Sequence, residues 1–389
     1  MNLSHILFEL GEDRENYKNA VSPPVFQSSN FCFNSVEEMR SKLAEEMDYP
    51  FYTRGHNPTV AILRKKLAAL EGTEEALVFG SGSAAVAAAV LSQVKSGDHI
   101  VSVKNPYSWT NKLFNRYLKR FGVETTFVDG TDAENYRKAI RPETKILYLE
   151  SPNSFSFELQ DIEAVVKIAQ THNCVTILDN SYSTPLHQNA SDMGVDIIVH
   201  SATKYLNGHS DVVAGLLCCN RKIAEHIFET EYMNTGGILS PHDAWLMIRG
   251  LRTLPLRLKQ STASTHWLLE QLEKHPKVER IHYPLHPSHP QFKLAQKQMT
   301  GAGGLFSLTL KVHTPEEIDK FCNALQHFLI ACSWGGHESL VFPVAGLCDS
   351  ANYSTSPHPW NMVRFYIGLE EKEYLLHDIE QALTQLKGI

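Results

Sequence analysis

Three short stretches bring reactive side chains to the ends of apolar runs. Lys204 follows Ile197-Ile198-Val199 in Ser201-Ala202-Thr203-Lys204, so an ammonium group and two hydroxyls arrive together. Alone, Lys204 reads equally as a solvated surface lysine. Its neighbours add chemistry: hydroxyls at Ser201 and Thr203 can bond phosphate oxygens. A strand-end lysine with a lowered pKa can also supply free amine to an aldehyde cofactor. Asp179 closes Val175-Thr176-Ile177-Leu178-Asp179, one βα unit earlier. A carboxylate there costs free energy unless paired. It is either a helix N-cap or the partner of a protonated pyridine nitrogen, the electron sink of pyridoxal 5′-phosphate (PLP).

Phe79-Gly80-Ser81-Gly82-Ser83-Ala84-Ala85 follows another apolar run and opens an alanine-rich helix. Its glycines let backbone N–H groups approach an anion at a helix N-terminus. A phosphate cup, a plain turn and a dinucleotide site all match. The last needs an acid at the end of the next strand, and Val101-Ser102-Val103-Lys104 has none. Tyr107 follows that strand, either as a face for a ring or as a packing residue.

The elements that must position these groups are legible as a β/α alternation. Apolar runs recur at Ala76–Phe79, His99–Val103, Thr125–Val128, Ile146–Leu149, Val175–Leu178, Ile197–Val199 and Ala214–Cys218. Helical stretches such as Leu113–Phe121 and Ile162–Thr171 lie between them. This predicts an α/β fold with a mostly parallel seven-stranded sheet covered on both faces, and ligands at the strands' carboxyl ends. A polar segment, Asn19 to Asn57, precedes it with little pattern and reads as an arm reaching to a partner subunit. Beyond it come a helix Asp243–His275, a strand Leu305–Leu310, a helix Pro315–Phe328 and a terminal helix Lys372–Leu386. The expected division is an arm over 1–57, a cofactor-binding α/β domain over 58–245 and a smaller α+β domain over 246–389.

Bulk properties narrow the function classes. With 389 residues, 43% hydrophobic and 20% charged, the composition is that of a globular chain. A net charge of −7 gives no electrostatic reason to expect nucleic acid. Seven cysteines without a C-x-x-C pair suit reduced thiols better than a disulfide framework or a zinc site. No basic-then-apolar leader and no apolar run of about 18 residues is visible, so the expectation is a cytoplasmic protein with no membrane partner. His282, His286 and His289 lie in a Pro-rich stretch without a nearby cysteine or carboxylate and read as a surface loop, so no metal is expected. His209-Ser210-Asp211 contains triad residue types, but adjacency in sequence is not triad geometry.

Cup, strand-end Asp and strand-end Lys stand in the order found in PLP-dependent transferases of fold type I. The chain more narrowly resembles the Cys/Met-metabolism (transsulfuration) PLP family. The resemblance runs through Ala20-Val21-Ser22-Pro23-Pro24, Tyr52-Thr53-Arg54-Gly55-His56-Asn57-Pro58-Thr59, Glu150-Ser151-Pro152, Asp179-Asn180 and Ser201–Tyr205. It closes with Ser333-Trp334-Gly335-Gly336-His337-Glu338-Ser339-Leu340 and Arg364-Phe365-Tyr366-Ile367-Gly368-Leu369-Glu370. The resemblance implies that Lys204 bonds the cofactor aldehyde and shuttles protons, that Asp179 pairs with the pyridine nitrogen, and that Tyr107 stacks on the ring. Gly82, Ser83, Ser201 and Thr203 would hold the phosphate, with Tyr52 and Arg54 supplied by a neighbouring subunit, in a homotetramer built from two such dimers. Arg364, otherwise read as a salt-bridging arginine, would clamp the substrate carboxylate, with Ser333, Ser154 and Trp109 also on the substrate side.

Local features bear on the reaction. Ser333-Trp334-Gly335-Gly336, Cys332 before it, Ser154, Gly208-His209-Ser210-Asp211 and Leu251-Arg252-Thr253-Leu254 resemble cystathionine β-lyases more than the γ-enzymes. They point to β-elimination from cystathionine or a related sulfur amino acid, giving a thiol, pyruvate and ammonia. The alternatives are γ-elimination or γ-replacement and, in a different class, a non-catalytic binder of PLP or amino acids. A binder has no need of Lys204 and Asp179. Trp109 beside Tyr107 departs from both patterns and would narrow the pocket, whereas His337 either faces the substrate or supports Arg364.

Overall fold

The computed structural model describes residues 1–348 and 356–386; residues 349–355 and 387–389, both in the expected C-terminal domain, lie outside the described residues. Apolar runs of four or five residues cannot be solvated on either face, and here they become the strands of a covered sheet. These are β1 (Glu75–Phe79), β2 (His99–Val103), β3 (Glu124–Val128), β4 (Thr144–Glu150), β5 (Val175–Asp179), β6 (Ile197–His200) and β7 (Gly215–Cys219). Their spatial order is β1-β7-β6-β5-β4-β2-β3. Strands β2 to β6 pair in parallel, and β7 runs antiparallel between β1 and β6. The residues after Val103, Glu150, Asp179 and His200 therefore gather along one edge. The expected seven-stranded, mostly parallel sheet is the one observed.

The predicted helix Leu113–Phe121 is present but not uniform. Its winding widens to a π turn over Leu113–Tyr117 and tightens to 3₁₀ over Leu118–Phe121, with Phe114 and Leu118 fully buried.

A second sheet follows: β8 (Val278–His282), β9 (Leu305–Leu310), β10 (Leu329–Ile330), β11 (Leu340–Pro343) and β12 (Met362–Tyr366), ordered β10-β11-β12-β9-β8. Helices Pro315–Ala324 and Lys372–Leu383 pack together beside it. The first stops short of the predicted Phe328 because buried Asp378 accepts the N–H groups of Gln326, His327 and Phe328, pulling them out of the helix. His282, His286 and His289 correct the expectation of a surface loop. All three are buried, His282 as the last residue of β8 with its Nε2 2.8 Å from Thr309 Oγ1. Among the described residues no group of three or more His, Cys, Asp or Glu is placed to hold a metal ion. No helix is long and apolar enough to cross a membrane.

A helix from Pro241 to Leu272 connects the two sheets, capped by Ser240 and opened by a proline at its first position. The expected division at 245/246 falls inside it, so no break in the chain marks that point. It packs on the helix Pro58–Glu71 and on Lys372–Leu383. Glu12 enters this layer with fully buried Lys66 at 3.0 Å and Arg252 at 3.1 Å, which pins the start of the chain to both helices. Gly250, within the long helix, meets the loop carrying Lys204: a Cβ there would lie 2.3 Å from the Asn207 carbonyl oxygen. In an unobstructed helix Gly→Ala stabilises by about 0.5–1 kcal/mol. Gly250→Ala is expected to reverse that sign, destabilising by about 1–3 kcal/mol through overpacking, as read by urea denaturation.

Candidate active site

In strand register Glu150 lies opposite Asp179, and Asp179 opposite Val199. Asp179 is not a helix cap. Its Oδ1 accepts the N–H of Ser181 at 3.0 Å and the Ser181 hydroxyl at 2.6 Å, while burial pushes its pKa up. Ser181 Oγ in turn accepts the Ser201 N–H at 2.6 Å, which joins the ends of β5 and β6. On the other side of Ser201 stands the glycine turn. A Cβ on Gly82 would lie 2.9 Å from Ser201 Cα and Cβ. Ser81 caps the helix Gly82–Leu91 by accepting the Ala84 N–H at 3.1 Å. The N–H groups of Gly82 and Ser83 are then the first-turn donors that a helix cannot satisfy internally. Thr203 Oγ1 is engaged with the backbone of Ala214, donating at 3.1 Å and accepting at 3.0 Å.

Lys204 is held in a tight loop. Its N–H donates to Ser201 O at 3.1 Å, and its carbonyl accepts from Gly208 at 2.9 Å. Arg257, from the long helix, donates to Tyr205 O at 2.8 Å and Gly250 O at 2.9 Å; burial lowers its pKa to about 10. Gly208 has φ +69°, and any Cβ there would run into that guanidinium. Gly335, at φ +90°, presses on the other side, where a Cβ would sit 2.9 Å from Lys204 Cα. The Lys204 Nζ donates to Ser333 Oγ at 2.5 Å and lies 5.4 Å from the centre of the Trp334 ring. Ser333 itself adopts the left-handed region at φ +78°, strain that a non-glycine residue bears only when its surroundings impose it. Burial, and then the charge of Arg364, lower the Lys204 pKa to about 8, against a weaker pull from Cys332 and Asp179.

Arg364 comes from β12 of the second sheet, where it pairs with Phe342 and Ser307. Its guanidinium lies 4.2 Å from the Phe155 ring centre and 5.3 Å from Phe342, and Nη1 donates to Ser154 O at 3.2 Å. Burial lowers its pKa to about 10, so it stays charged at neutral pH. The loop that meets it is organised by Asn153, whose Oδ1 accepts the N–H groups of Phe155, Ser156 and Phe157. Ser307 Oγ closes the contact by donating to Phe155 O at 2.9 Å.

One group was missed by the sequence reading. Glu150 Oε2 accepts the N–H of Tyr107 at 2.6 Å, and the side chain faces the Ser154 N–H. Burial and the Asp179 charge push its pKa up to about 8. Its sequence signal equals that of Asp179: an acid ending an apolar run. Other expected residues are not drawn in. Tyr52 and Arg54 lie exposed on the arm, paired with each other at 5.6 Å, and no contact with the Lys204 loop is formed among the described residues. Trp109 is 57% exposed, its ring against Lys112 Nζ at 4.3 Å. His337 is exposed and its Nδ1 lies 3.3 Å from Glu338 Oε2.

The residues fit PLP. The Gly82 turn has room for no side chain and leaves two N–H donors beside a hydroxyl, as a phosphate requires. An amine, a partly buried carboxylate and an aromatic ring stand at the neighbouring strand ends. Gly82, Ser83 and Ser201 would hold the phosphate, Asp179 the pyridine nitrogen, Tyr107 the ring face and Lys204 the aldehyde.

The family of Cys/Met metabolism PLP-dependent enzymes matches residues 5–384. The chain belongs to this family. It is 40% identical to an L-methionine gamma-lyase of Treponema denticola over 379 residues, 96% of this chain and 94% of the relative. It is 35% identical to the cystathionine beta-lyase MetC of Bacillus subtilis over 375 residues, 95% and 93% of the two chains. The crystal structure of metB from Corynebacterium glutamicum superposes with a TM-score of 0.91 at 33% identity, covering 99% of this chain and 98% of that one. PLP is thus the cofactor, and bound PLP supplies a sink for the electrons left when an amino acid loses its Cα proton.

Because free amine is the reacting form, PLP uptake by the cofactor-free protein should accelerate with pH and reach half its maximal rate near pH 8. An unperturbed lysine would titrate at about 10.4. Arg364→Gln removes a charge that disfavours the ammonium, so it should move that midpoint upward. Stopped-flow absorbance across pH checks both.

Proposed function

We propose that this protein is a carbon–sulfur lyase acting on cystathionine or a related sulfur amino acid, expelling a thiol from Cβ and releasing pyruvate and ammonia. The observation that carries the reading is Lys204: a desolvated amine held by Ser333, between the carboxylate of Asp179 and the guanidinium of Arg364. Arg364, its faces occupied by Phe155 and Phe342, offers the substrate carboxylate the edge of its guanidinium. A substrate held there would bring Cα toward Lys204 Nζ, the base with a pKa close to the working pH. Ser333 fixes where the amine sits, and Tyr107 would face the cofactor ring. Trp334 beside Lys204, together with Ser154 and Cys332, supports the β reading.

A second reading is γ-elimination from methionine, supported by the names of relatives 37–40% identical to this chain. It requires a further proton to leave Cβ, with Lys204 and Tyr107 the titratable groups nearest to hand. Incubation with cystathionine and with methionine, followed by identification of the keto acid, separates the two. Pyruvate from cystathionine is the expected product. 2-Oxobutyrate as the sole keto acid would replace the first reading by the second, and Lys204→Ala should abolish either.

We further propose that Tyr52 and Arg54 complete the phosphate end of a second subunit's site, a role supported by their exposure on the arm. Mixing inactive Lys204→Ala with inactive Arg54→Ala subunits should then restore part of the activity. No recovery after verified subunit exchange would reject the shared site.

A further inference from the structure

Glu150 is an expensive residue to keep. It is 7% exposed, ends β4 directly opposite Asp179, and faces Tyr107 from the loop after β2 and Ser154 from the loop after its own strand. Two carboxylates side by side in a dry site disfavour each other's ionisation, and an apolar side chain would avoid that conflict. The side chain is not among those that would touch cofactor or substrate. It accepts one backbone N–H and faces a second on a separate loop. One belongs to Tyr107, 46% exposed and leading a helix of only five residues, Ser108–Lys112. The other belongs to Ser154, whose carbonyl accepts from Arg364 at 3.2 Å. Glu150 is itself steadied by Gln160, whose Oε1 accepts its N–H at 3.0 Å; Gln160 is fully buried.

We propose that Glu150 is a positioning residue that sets the ring-facing loop of Tyr107 and the carboxylate-facing loop of Ser154 from a single side chain. Ionised, above its pKa of about 8, Glu150 accepts with both oxygens. An amide offers one acceptor and turns an NH₂ toward the second donor. The position of the aromatic face over the cofactor and the brace on Arg364 therefore share one origin. Loosening Glu150 loosens both.

The substrate arm of this inference rests on the proposed function; the cofactor arm does not. Glu150→Gln preserves shape and removes one acceptor, so it decides the matter even where Glu150→Ala fails to fold. Holoenzyme prepared with PLP is compared with the variant in two ways, above pH 8 where Glu150 is ionised. The first is PLP affinity, from a titration of the cofactor-free protein followed by visible circular dichroism, which reports the ring's asymmetric surroundings. The second is steady-state kinetics with cystathionine and methionine at saturating PLP. The expected result for Glu150→Gln is PLP binding weaker by about tenfold with a changed visible dichroism, and KM higher by about tenfold with kcat less affected. A lower thermal midpoint with PLP affinity, dichroism and KM unchanged means a merely structural residue and overturns the proposal. Weakened PLP binding with unchanged KM overturns the claim that one side chain serves both loops. Wild-type protein that binds PLP yet turns over neither substrate defeats the functional reading, and the dichroism and affinity arm then still decides the Tyr107 half.

Discussion

A guanidinium and an amine of like charge share one water-poor corner, and burial first, then their repulsion, makes the amine chemically useful. Arg364 arrives from the second sheet and Lys204 from the end of β6 in the first. With its pKa lowered only to about 10, the arginine stays charged at neutral pH. The lysine, at about 8, is the partner that yields its proton. Such an arrangement persists only if neither group can swing away. Ser333 and the Lys204 loop restrain one, and Phe155, Phe342 and the Ser154 carbonyl restrain the other.

That restraint explains features distant from the chemistry. The long helix Pro241–Leu272 delivers Arg257 beneath the Lys204 loop and approaches the loop's backbone at Gly250. Its far end packs on the terminal helix of the second part of the chain. A helix in contact with both halves fixes the distance between the sheets, and so the separation of amine and guanidinium. The unusual backbone of Ser333 and Gly335 belongs to the same device, since the chain must turn sharply to press on Lys204 from the second sheet.

Where local sequence was decisive, the reading and the structure agree. Buried runs of Val, Ile and Leu leave few options other than a covered sheet, and parallel topology collects their carboxyl ends. Lys204, Asp179 and the Gly82 turn were therefore locatable from sequence. Glu150 carried the same strand-end signal as Asp179, but that signal reveals nothing about which backbone groups will point at it. Nor did spacing show that His282, His286 and His289 would be buried: proline-rich polar composition resembles a loop, and only packing against β9, the loop after β4 and Glu273 beside the long helix covers them. The helix ending at Ala324 was set by Asp378, more than fifty positions away, a contact invisible to any local pattern.

Asn153 gathers three successive N–H groups onto a single carbonyl oxygen, so the turn carrying Ser154, Phe155 and Ser156 holds its own shape. A self-shaped turn behaves as a cassette. The Ser154 side chain can be exchanged while Phe155 stays against Arg364 and the scaffold around Lys204 keeps its geometry. Diversification of which sulfur compounds are accepted could thus proceed at the rim, by trading this residue, without rebuilding the machinery that breaks the bond.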